Sequence, residues 1–183
     1  MASFFTREGD EGFSGLLGKG RVPKFDLRME ALGALDEANS ALGLSRAICA
    51  SPETKELILQ IQRDLYHLMA ETAAAPENAE KFHGIDGKRV EFLEEKTDSL
   101  GKTVVLPKEF IVPGDSLANS AVDLARTNVR RAERRVAELL LNELIVNADL
   151  LRYLNRLSSL LFVLELIENQ EAGKNNPTLA KTE

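Results

Sequence analysis

The stretch DLLRYLNRLSSLLFVL, residues 149–164, decides the fold class of this chain. Its leucines recur in steps of three and four, which places one apolar stripe along a single face of a helix. The stripe consists of Leu150, Leu154, Leu157, Leu161 and Leu164. A stripe of this width must be buried against other apolar surfaces, so the stretch predicts a helix that packs against neighbouring helices.

Four more segments upstream show the same periodicity. The first runs over about 24–50, with Phe25 and Leu42 at the ends of its apolar stripe. The second is predicted to run from a Ser51 cap to about 75, the third from an Asp86 cap to 101, and the fourth from 115 or 116 to about 141. The connections are short, and residues 1–23, 77–84 and 174–183 are predicted to be a glycine-rich loop, a loop and a flexible tail. We therefore predict an all-α protein, a five-helix up-and-down bundle.

Composition narrows the functional classes. The 183 residues suit a single domain, 1–183, and the formal charge of −6 argues against nucleic acid as a partner. No apolar run is long enough to span a bilayer, and residues 1–12 lack the features of a secretory signal, which favours a cytoplasmic location. The lone Cys49 is expected to be a buried structural thiol, and no His or Cys spacing indicates a metal site, so metal ligands stay unassigned.

An arginine ladder within residues 125–135 is the strongest functional signal. On a helix, Arg126, Arg130 and Arg134 lie four residues apart on one face, and Glu133 is close enough to orient Arg130. Three neighbouring guanidinium groups favour a polyanion opposite them, because the arginine fork matches phosphate oxygens. The alternative is a solvated helix face with ordinary ion pairs, and charge pattern alone favours this alternative.

Two further regions add possible ligand contacts. The start TREGDEGFSG, residues 6–15, combines glycines with hydroxyl donors, a composition that suits anion binding by backbone amides, and Lys24 adds a charge. The alternative is a floppy terminal segment. Polar Asn155 and Arg156 interrupt the leucine-rich last helix, as either a cap to a nearby loop or a ligand contact.

Read in order, these stretches resemble the PduO-type ATP:cob(I)alamin adenosyltransferases. The resemblance covers residues 6–162. It rests on T-x-x-G-D-x-G-x-S at the start, R-V-x-K at 21–24, R-x-E-A-x-G-x-x-D-E-x-N-S at 28–40, R-T-x-x-R-R-A-E-R at 126–134 and Y-L-N-R-L-S at 153–158. The last two motifs at this separation are the most specific part of the match.

The resemblance implies an enzyme that transfers the 5′-deoxyadenosyl group of ATP to the reduced cobalt of cob(I)alamin and releases triphosphate. It implies a homotrimer with an ATP site between subunits, Mg²⁺ as a cofactor, and a cob(II)alamin reductase and an adenosylcobalamin-dependent enzyme as possible partners. The residues that it assigns to ATP binding are Thr6, Arg7, Glu8, Gly9, Ser14, Gly15, Lys24, Arg130, Arg131, Glu133, Arg134 and Asn155. It assigns the reaction to Phe110, Arg126, Asp36 and Arg130, with Phe110 displacing the lower axial ligand of cobalt and Asp36 bridging to Arg126 across subunits.

Some positions depart from the family pattern. Ser159 stands where an aspartate is usual, and Asp123 replaces a histidine that is common before A-R-T. These departures leave open a non-catalytic protein that binds ATP or adenosylcobalamin for delivery or sensing. A plain helical oligomerisation module, with arginines that make only interface ion pairs, is the third possibility.

Overall fold

The protein, described here from a computed structural model over residues 4–181, is mostly helical with one small antiparallel sheet. Its strands are β1 (Phe13–Gly15) and β2 (Arg21–Pro23). Its α-helices are α1 (Leu27–Ile48), α2 (Pro52–Ala73), α3 (Gly87–Gly101), α4 (Leu117–Leu141) and α5 (Asp149–Glu171), with a 3-10 helix, Pro76–Phe82, between α2 and α3.

The helix boundaries follow local chemistry. Asp26, Ser51, Asp86 and Ser116 each accept a hydrogen bond from a backbone N–H in the first turn of α1, α2, α3 and α4. These bonds satisfy donors that a helix start leaves without an intrahelical partner. The predicted caps at Ser51 and Asp86 are thereby confirmed, and Ser116 caps α4.

The apolar stripes pack into one core. α1 packs against α2 and α4, and α5 packs against α3 and α4. All five leucines of the α5 stripe are fully buried, as are Leu35 and Leu42 of α1. Cys49 belongs to the same core, and burial raises the pKa of its thiol to about 12, which fits the predicted structural role. Within the described residues, no helix combines the length and the apolar character that a bilayer crossing requires.

Two predicted loops contain regular structure. Residues 13–15 and 21–23 pair as a hairpin, with Ser14 opposite Val22. Leu17 then joins the end of α2, because its N–H donates to Ala73 and its carbonyl accepts from Ala75. The first helix therefore begins at Leu27 instead of 24, and Phe25, assigned to its apolar stripe, is 81% exposed. The predicted loop at 77–84 is largely the 3-10 helix, which Pro76 begins.

The segment after α5 has specific partners although the sequence predicts a frayed tail. The Val112 N–H donates to Thr178, the Ala180 N–H donates to Phe110, and the Asp115 carboxylate accepts from the Thr178 hydroxyl at 2.7 Å. This segment therefore lies beside residues 110–112 and supports the loop that carries Phe110.

Candidate active site

A cleft of about 410 Å³ opens between the 108–113 segment, α4 and α5, and we call it the Phe110 cleft. It is lined by Lys108, Glu109, Phe110, Ile111, Pro113, Asp123, Arg126, Phe162 and Glu165. Phe110 is 86% exposed at this cleft, so its ring is available to a ligand. The structure thus brings together two residues expected to take part in the reaction, Phe110 and Arg126.

Arg126 is held at the wall of the Phe110 cleft by a neighbour on its own helix. Its Nε and one terminal nitrogen both donate to Asp123 Oδ1, at 2.9 and 2.7 Å. Its Nε also lies 4.0 Å from Oε2 of Glu165, a residue that is 1% exposed. The guanidinium therefore stands between the largely buried Asp123 and the fully buried Glu165.

Glu165 is the buried acid of this group. Asn119 donates to its Oε1 at 3.0 Å, whereas its Oε2 is buried without a hydrogen-bond partner in the described part of the chain. Burial and then the nearby Asp123 charge raise the pKa of Glu165 to about 7, against the opposing effects of Arg126 and the Asn119 hydrogen bond. Glu165 therefore exchanges a proton near neutral pH.

A second cleft, of about 480 Å³, lies further along α4 and α5, and we call it the arginine cleft. It is lined by Arg130, Glu133, Arg134, Ala137, Leu151, Arg152, Asn155 and Arg156. Four of these eight lining residues are arginines, which gives the cleft the chemistry of an anion site.

The arginine cleft contains two guanidinium groups, those of Arg130 and Arg134, that no carboxylate in residues 4–181 neutralises. The exposed side chain of Arg130 makes no ion pair or hydrogen bond there, and Arg134 donates only to the Arg130 carbonyl, at 3.0 Å. The sequence predicts that Glu133 orients Arg130. In the structure Glu133 instead accepts a hydrogen bond from Asn155 at 2.8 Å and does not contact Arg130. The cleft therefore offers free positive charge beside a fixed Glu133–Asn155 pair.

The other arginines of the ladder are engaged elsewhere. Arg131 forms an ion pair with Glu37 of α1, and Arg135 pairs with Glu138 at 3.0 Å and with Glu30 at 3.7 Å. All of these side chains are substantially exposed. For Arg131 and Arg135, the alternative of a solvated face with ordinary ion pairs describes the structure.

The N-terminal residues assigned to ATP form their own compact turn, away from the arginine cleft. The Asp10 N–H donates to the Arg7 carbonyl, and Arg7 itself has φ +65°. Arg21, which we did not assign to the site, donates to the carbonyls of Glu8 and Phe13 and so closes the turn onto β1. None of the seven N-terminal positions assigned to ATP lines the arginine cleft within the described chain.

Gly9 and Lys24 meet inside this turn. A Cβ placed on Gly9 would lie 3.0 Å from the Lys24 Nζ, so the missing side chain lets the ammonium group approach the backbone. The Lys24 N–H donates to the Gly12 carbonyl, which anchors that residue at the end of β2. Ser14 and Gly15 lie on the paired strand β1. The turn thus carries a lysine and hydroxyl donors on a defined backbone.

Asp36 is exposed on α1 and makes no ion pair in the part of the chain that is described. Its expected contact with Arg126 is one between subunits, and it stays a prediction. The described residues also contain no group of three His, Cys, Asp or Glu side chains that could hold a metal ion.

Comparison with known proteins agrees with these motifs. The sequence profile of the family described as cobalamin adenosyltransferase matches residues 4–168. The chain belongs to the cobalamin adenosyltransferase family. The resemblance drawn from the motifs is therefore confirmed.

Two curated relatives show how far the similarity extends. The corrinoid adenosyltransferase of Bacillus subtilis is 38% identical over 92% of this chain and 88% of its own length. The corrinoid adenosyltransferase PduO of Citrobacter freundii is 39% identical over 95% of this chain. The chain spans about half, 52%, of the length of that PduO protein.

Solved structures share the fold closely. A phenylalanine-to-alanine variant of a PduO-type ATP:corrinoid adenosyltransferase from Lactobacillus reuteri, complexed with cobalamin and ATP, is 30% identical with a TM-score of 0.88. The match between the two structures covers 98% of this chain and 100% of the Lactobacillus reuteri chain. An arginine-to-lysine variant of the enzyme from the same organism, complexed with ATP, has the same identity and TM-score, over 97% and 100%.

Sequence reasoning did not find Glu165 or Asn119. Both lie in helices whose apolar pattern dominates, and Glu165 stands between Leu164 and Leu166. The available signal was an acid inside a leucine stripe, since a carboxylate in such a place is rarely buried without a partner.

Proposed function

We propose that the chain is an ATP:corrinoid adenosyltransferase, which transfers the 5′-deoxyadenosyl group of ATP to cob(I)alamin and releases triphosphate. The observation that carries the proposal is the free Arg130 guanidinium in the arginine cleft. This cleft lies about one turn of α4 away from the cleft that contains Phe110 and Arg126. Family membership and relatives named for this activity support the same conclusion.

The reaction divides between the two clefts. Cobalt(I) supplies an electron pair to the 5′-carbon of ATP, the bond from that carbon to oxygen breaks, and triphosphate leaves with the bonding pair. No proton transfer is needed, so the protein must align the substrates and neutralise the leaving group. We assign neutralisation to Arg130 and Arg134, with Glu133 and Asn155 as polar contacts in the arginine cleft.

We assign the corrinoid to the Phe110 cleft. The exposed ring of Phe110 and the half-buried Phe162 make this cleft apolar on one side. An aromatic ring there excludes water and the lower axial ligand from cobalt, which makes cobalt easier to reduce. Two solved relatives complexed with cobalamin and ATP are each variants of a single phenylalanine.

The N-terminal turn is assigned to a neighbouring ATP site. We propose that the five helices form an up-and-down bundle. Because the residues of the N-terminal turn do not line the arginine cleft of their own chain, we propose that this bundle assembles as a homotrimer. In that assembly Thr6, Arg7, Glu8, Gly9, Ser14, Gly15 and Lys24 would wrap phosphates held by the arginine cleft of the adjacent subunit. Asp36 would contact Arg126 across the same interface.

Mg²⁺ fits this site as a companion of the nucleotide. The described residues hold no cage of three metal-binding side chains, whereas Mg²⁺ commonly takes one or two carboxylates together with substrate phosphates. In the arginine cleft Glu133 is the carboxylate placed to contribute, and the ion would add positive charge to the leaving group. A cytoplasmic location, supply of cob(I)alamin by a reductase and delivery of product to an adenosylcobalamin-dependent enzyme complete the proposal.

An anaerobic assay with chemically reduced cobalamin and MgATP tests the proposal. We expect adenosylcobalamin and triphosphate to form in equal amounts. The change in corrinoid absorbance monitors the reaction. If both substrates bind and no product forms, the chain is instead a delivery or sensing protein, the alternative that Asp123 and Ser159 keep open.

A matched pair of variants tests the arginine cleft. Arg130→Ala removes the free guanidinium, and we expect about 30-fold weaker MgATP binding by calorimetry, from one lost hydrogen bond to a charged group. Arg135→Ala removes the same charge five residues later, but its guanidinium is already paired, so a change within twofold is expected. Equal losses in both variants would show that only overall charge matters and would contradict the assignment.

A further inference from the structure

Arg126 is shared by two acids, which leaves one negative charge without a partner. Asp123 takes two of its hydrogen bonds, and Glu165 Oε2 stands 4.0 Å from its Nε with no bond of its own in the described residues. The Arg126 guanidinium donates its hydrogen bonds to Asp123, so it does not compensate a negative charge on Glu165 in the same way. The group is therefore balanced only while one of the acids carries a proton.

Few other charges of the described chain can settle this balance, and the Asp36 proposed to reach Arg126 from an adjacent subunit would add negative charge to the group. Lys108 and Glu109, from the segment that faces α4 and α5, line the same cleft, and together they add no net charge. Glu168, one turn along α5, accepts hydrogen bonds from the backbone of Ala50 and Ser51 and is directed to that side. Asn119 supplies a neutral donor to the other oxygen of Glu165.

We propose that Glu165 is a positioning residue whose ionisation decides where Arg126 is held. With a neutral Glu165, Arg126 stays on Asp123 at the wall of the Phe110 cleft, as the structure shows. With an ionised Glu165, the Arg126 Nε is drawn inward to Oε2. A shift of about 1 Å converts the 4.0 Å separation into a hydrogen bond, well within side-chain freedom.

The consequence for the reaction rests on the proposed function. Ionisation of Glu165 changes the net charge of the Asp123–Arg126–Glu165 group from zero to −1 beside the corrinoid. Cob(I)alamin carries an anionic phosphate and an electron-rich cobalt, so the added charge opposes its binding. We expect the KM for cob(I)alamin to rise about fivefold as pH increases through the Glu165 ionisation, whereas the KM for ATP and kcat stay within twofold.

The first experiment observes Arg126 without turnover. The ¹H–¹⁵N signal of the Arg126 Nε is assigned with an Arg126→Lys variant and followed from pH 5.5 to 8.5. We expect a step with its midpoint at about 7 in the wild type, none in Glu165→Gln, and a lower midpoint in Asp123→Asn, because the Asp123 charge favours protonated Glu165. Glu171→Gln, an exposed acid later on the same helix, should keep the wild-type step.

The second experiment measures the KM for cob(I)alamin and for ATP over the same pH range. A step confined to cob(I)alamin that disappears in Glu165→Gln supports the positioning role. A flat profile with normal turnover overturns that role. An Arg126 signal that does not titrate, or that titrates unchanged in Glu165→Gln, overturns the coupling itself. Absence of turnover in the wild type would refute the proposed function, and the NMR titration would still decide the coupling.

Discussion

Replacing Glu165 by Gln should make the protein more resistant to unfolding at pH 8, relative to the wild type, than at pH 5. Glu165 is 1% exposed, and its pKa rises from 4.5 to about 7 on folding. An acid whose pKa is raised by folding binds its proton more tightly in the folded state. Its stabilising effect is present below pH 4.5 and is lost as pH rises toward 7. Glutamine keeps the shape of the protonated acid and does not ionise.

The size of the effect follows from the two pKa values. Between pH 5 and pH 8, ionisation of Glu165 lowers the free energy of unfolding by about 2.5 kcal/mol, since each unit of pKa difference corresponds to about 1.4 kcal/mol. For a domain of this length, the same amount corresponds to about 5–10 °C in Tm. The difference between Glu165→Gln and wild type should grow by that amount over this range.

Urea denaturation followed by circular dichroism at both pH values provides the measurement. Glu171→Gln is the control, because it removes an exposed acid from the same helix and should leave the wild-type pH dependence intact. If Glu165→Gln and wild type lose stability in parallel from pH 5 to pH 8, Glu165 does not ionise in this range and the reasoning is wrong.

Three further substitutions test other contacts. Arg28→Met should lower the free energy of unfolding by about 3 kcal/mol in urea, because the buried guanidinium donates to three backbone carbonyls from α2, its C-terminal cap and the segment after α4. Glu143→Gly should raise it by about 0.5–1 kcal/mol, because Glu143 has φ +56° at the end of α4, where glycine is not strained. Thr178→Val should speed proteolysis of the C-terminal segment about fivefold, because it loses its 2.7 Å hydrogen bond to Asp115, worth about 1 kcal/mol.

The helices could be predicted because their signals are local. Ser51 precedes Pro52, and Asp86 precedes Gly87, so each cap is written within a few residues of the helix that it starts. Gly173 ends α5 in the same way: its positive φ and the Lys174 hydrogen bond to Asn169 form a typical C-terminal motif.

The contact of Leu17 with α2 and the C-terminal contacts could not be read locally. Leu17 binds the end of α2, and Ile111 pairs with Leu179, so each bridge joins segments more than fifty residues apart. Such pairing depends on where the helices bring the chain, and no periodicity in a glycine-rich or polar segment reports it. Phe25 shows the same limit. Its spacing fits the apolar stripe of α1, but α1 begins only at Leu27, so Phe25 lies outside the helix.

The candidate site shows a similar division. The sequence correctly places Arg130 and Arg134 together, because their spacing on one helix fixes their face. It could not show that Arg131 is occupied by Glu37, since that contact requires α1 and α4 to pack side by side. By contrast, Asp123, noted as a departure from the family pattern, holds Arg126 from three residues away on the same helix, a local contact that helical spacing indicates.

The arginines of the ladder do not all face one anion, because they line two different clefts. Arg126 lines the Phe110 cleft and Arg130 lines the arginine cleft, although only one helical step of about 6 Å separates them along α4. The proposed transfer of a carbon from ATP to cobalt requires the two substrates to touch, and neighbouring clefts on one helix suit that requirement. Under the proposed function, one helix sets the distance between both substrates, with Arg126 held in place by Asp123 and Arg130 left free to meet phosphate.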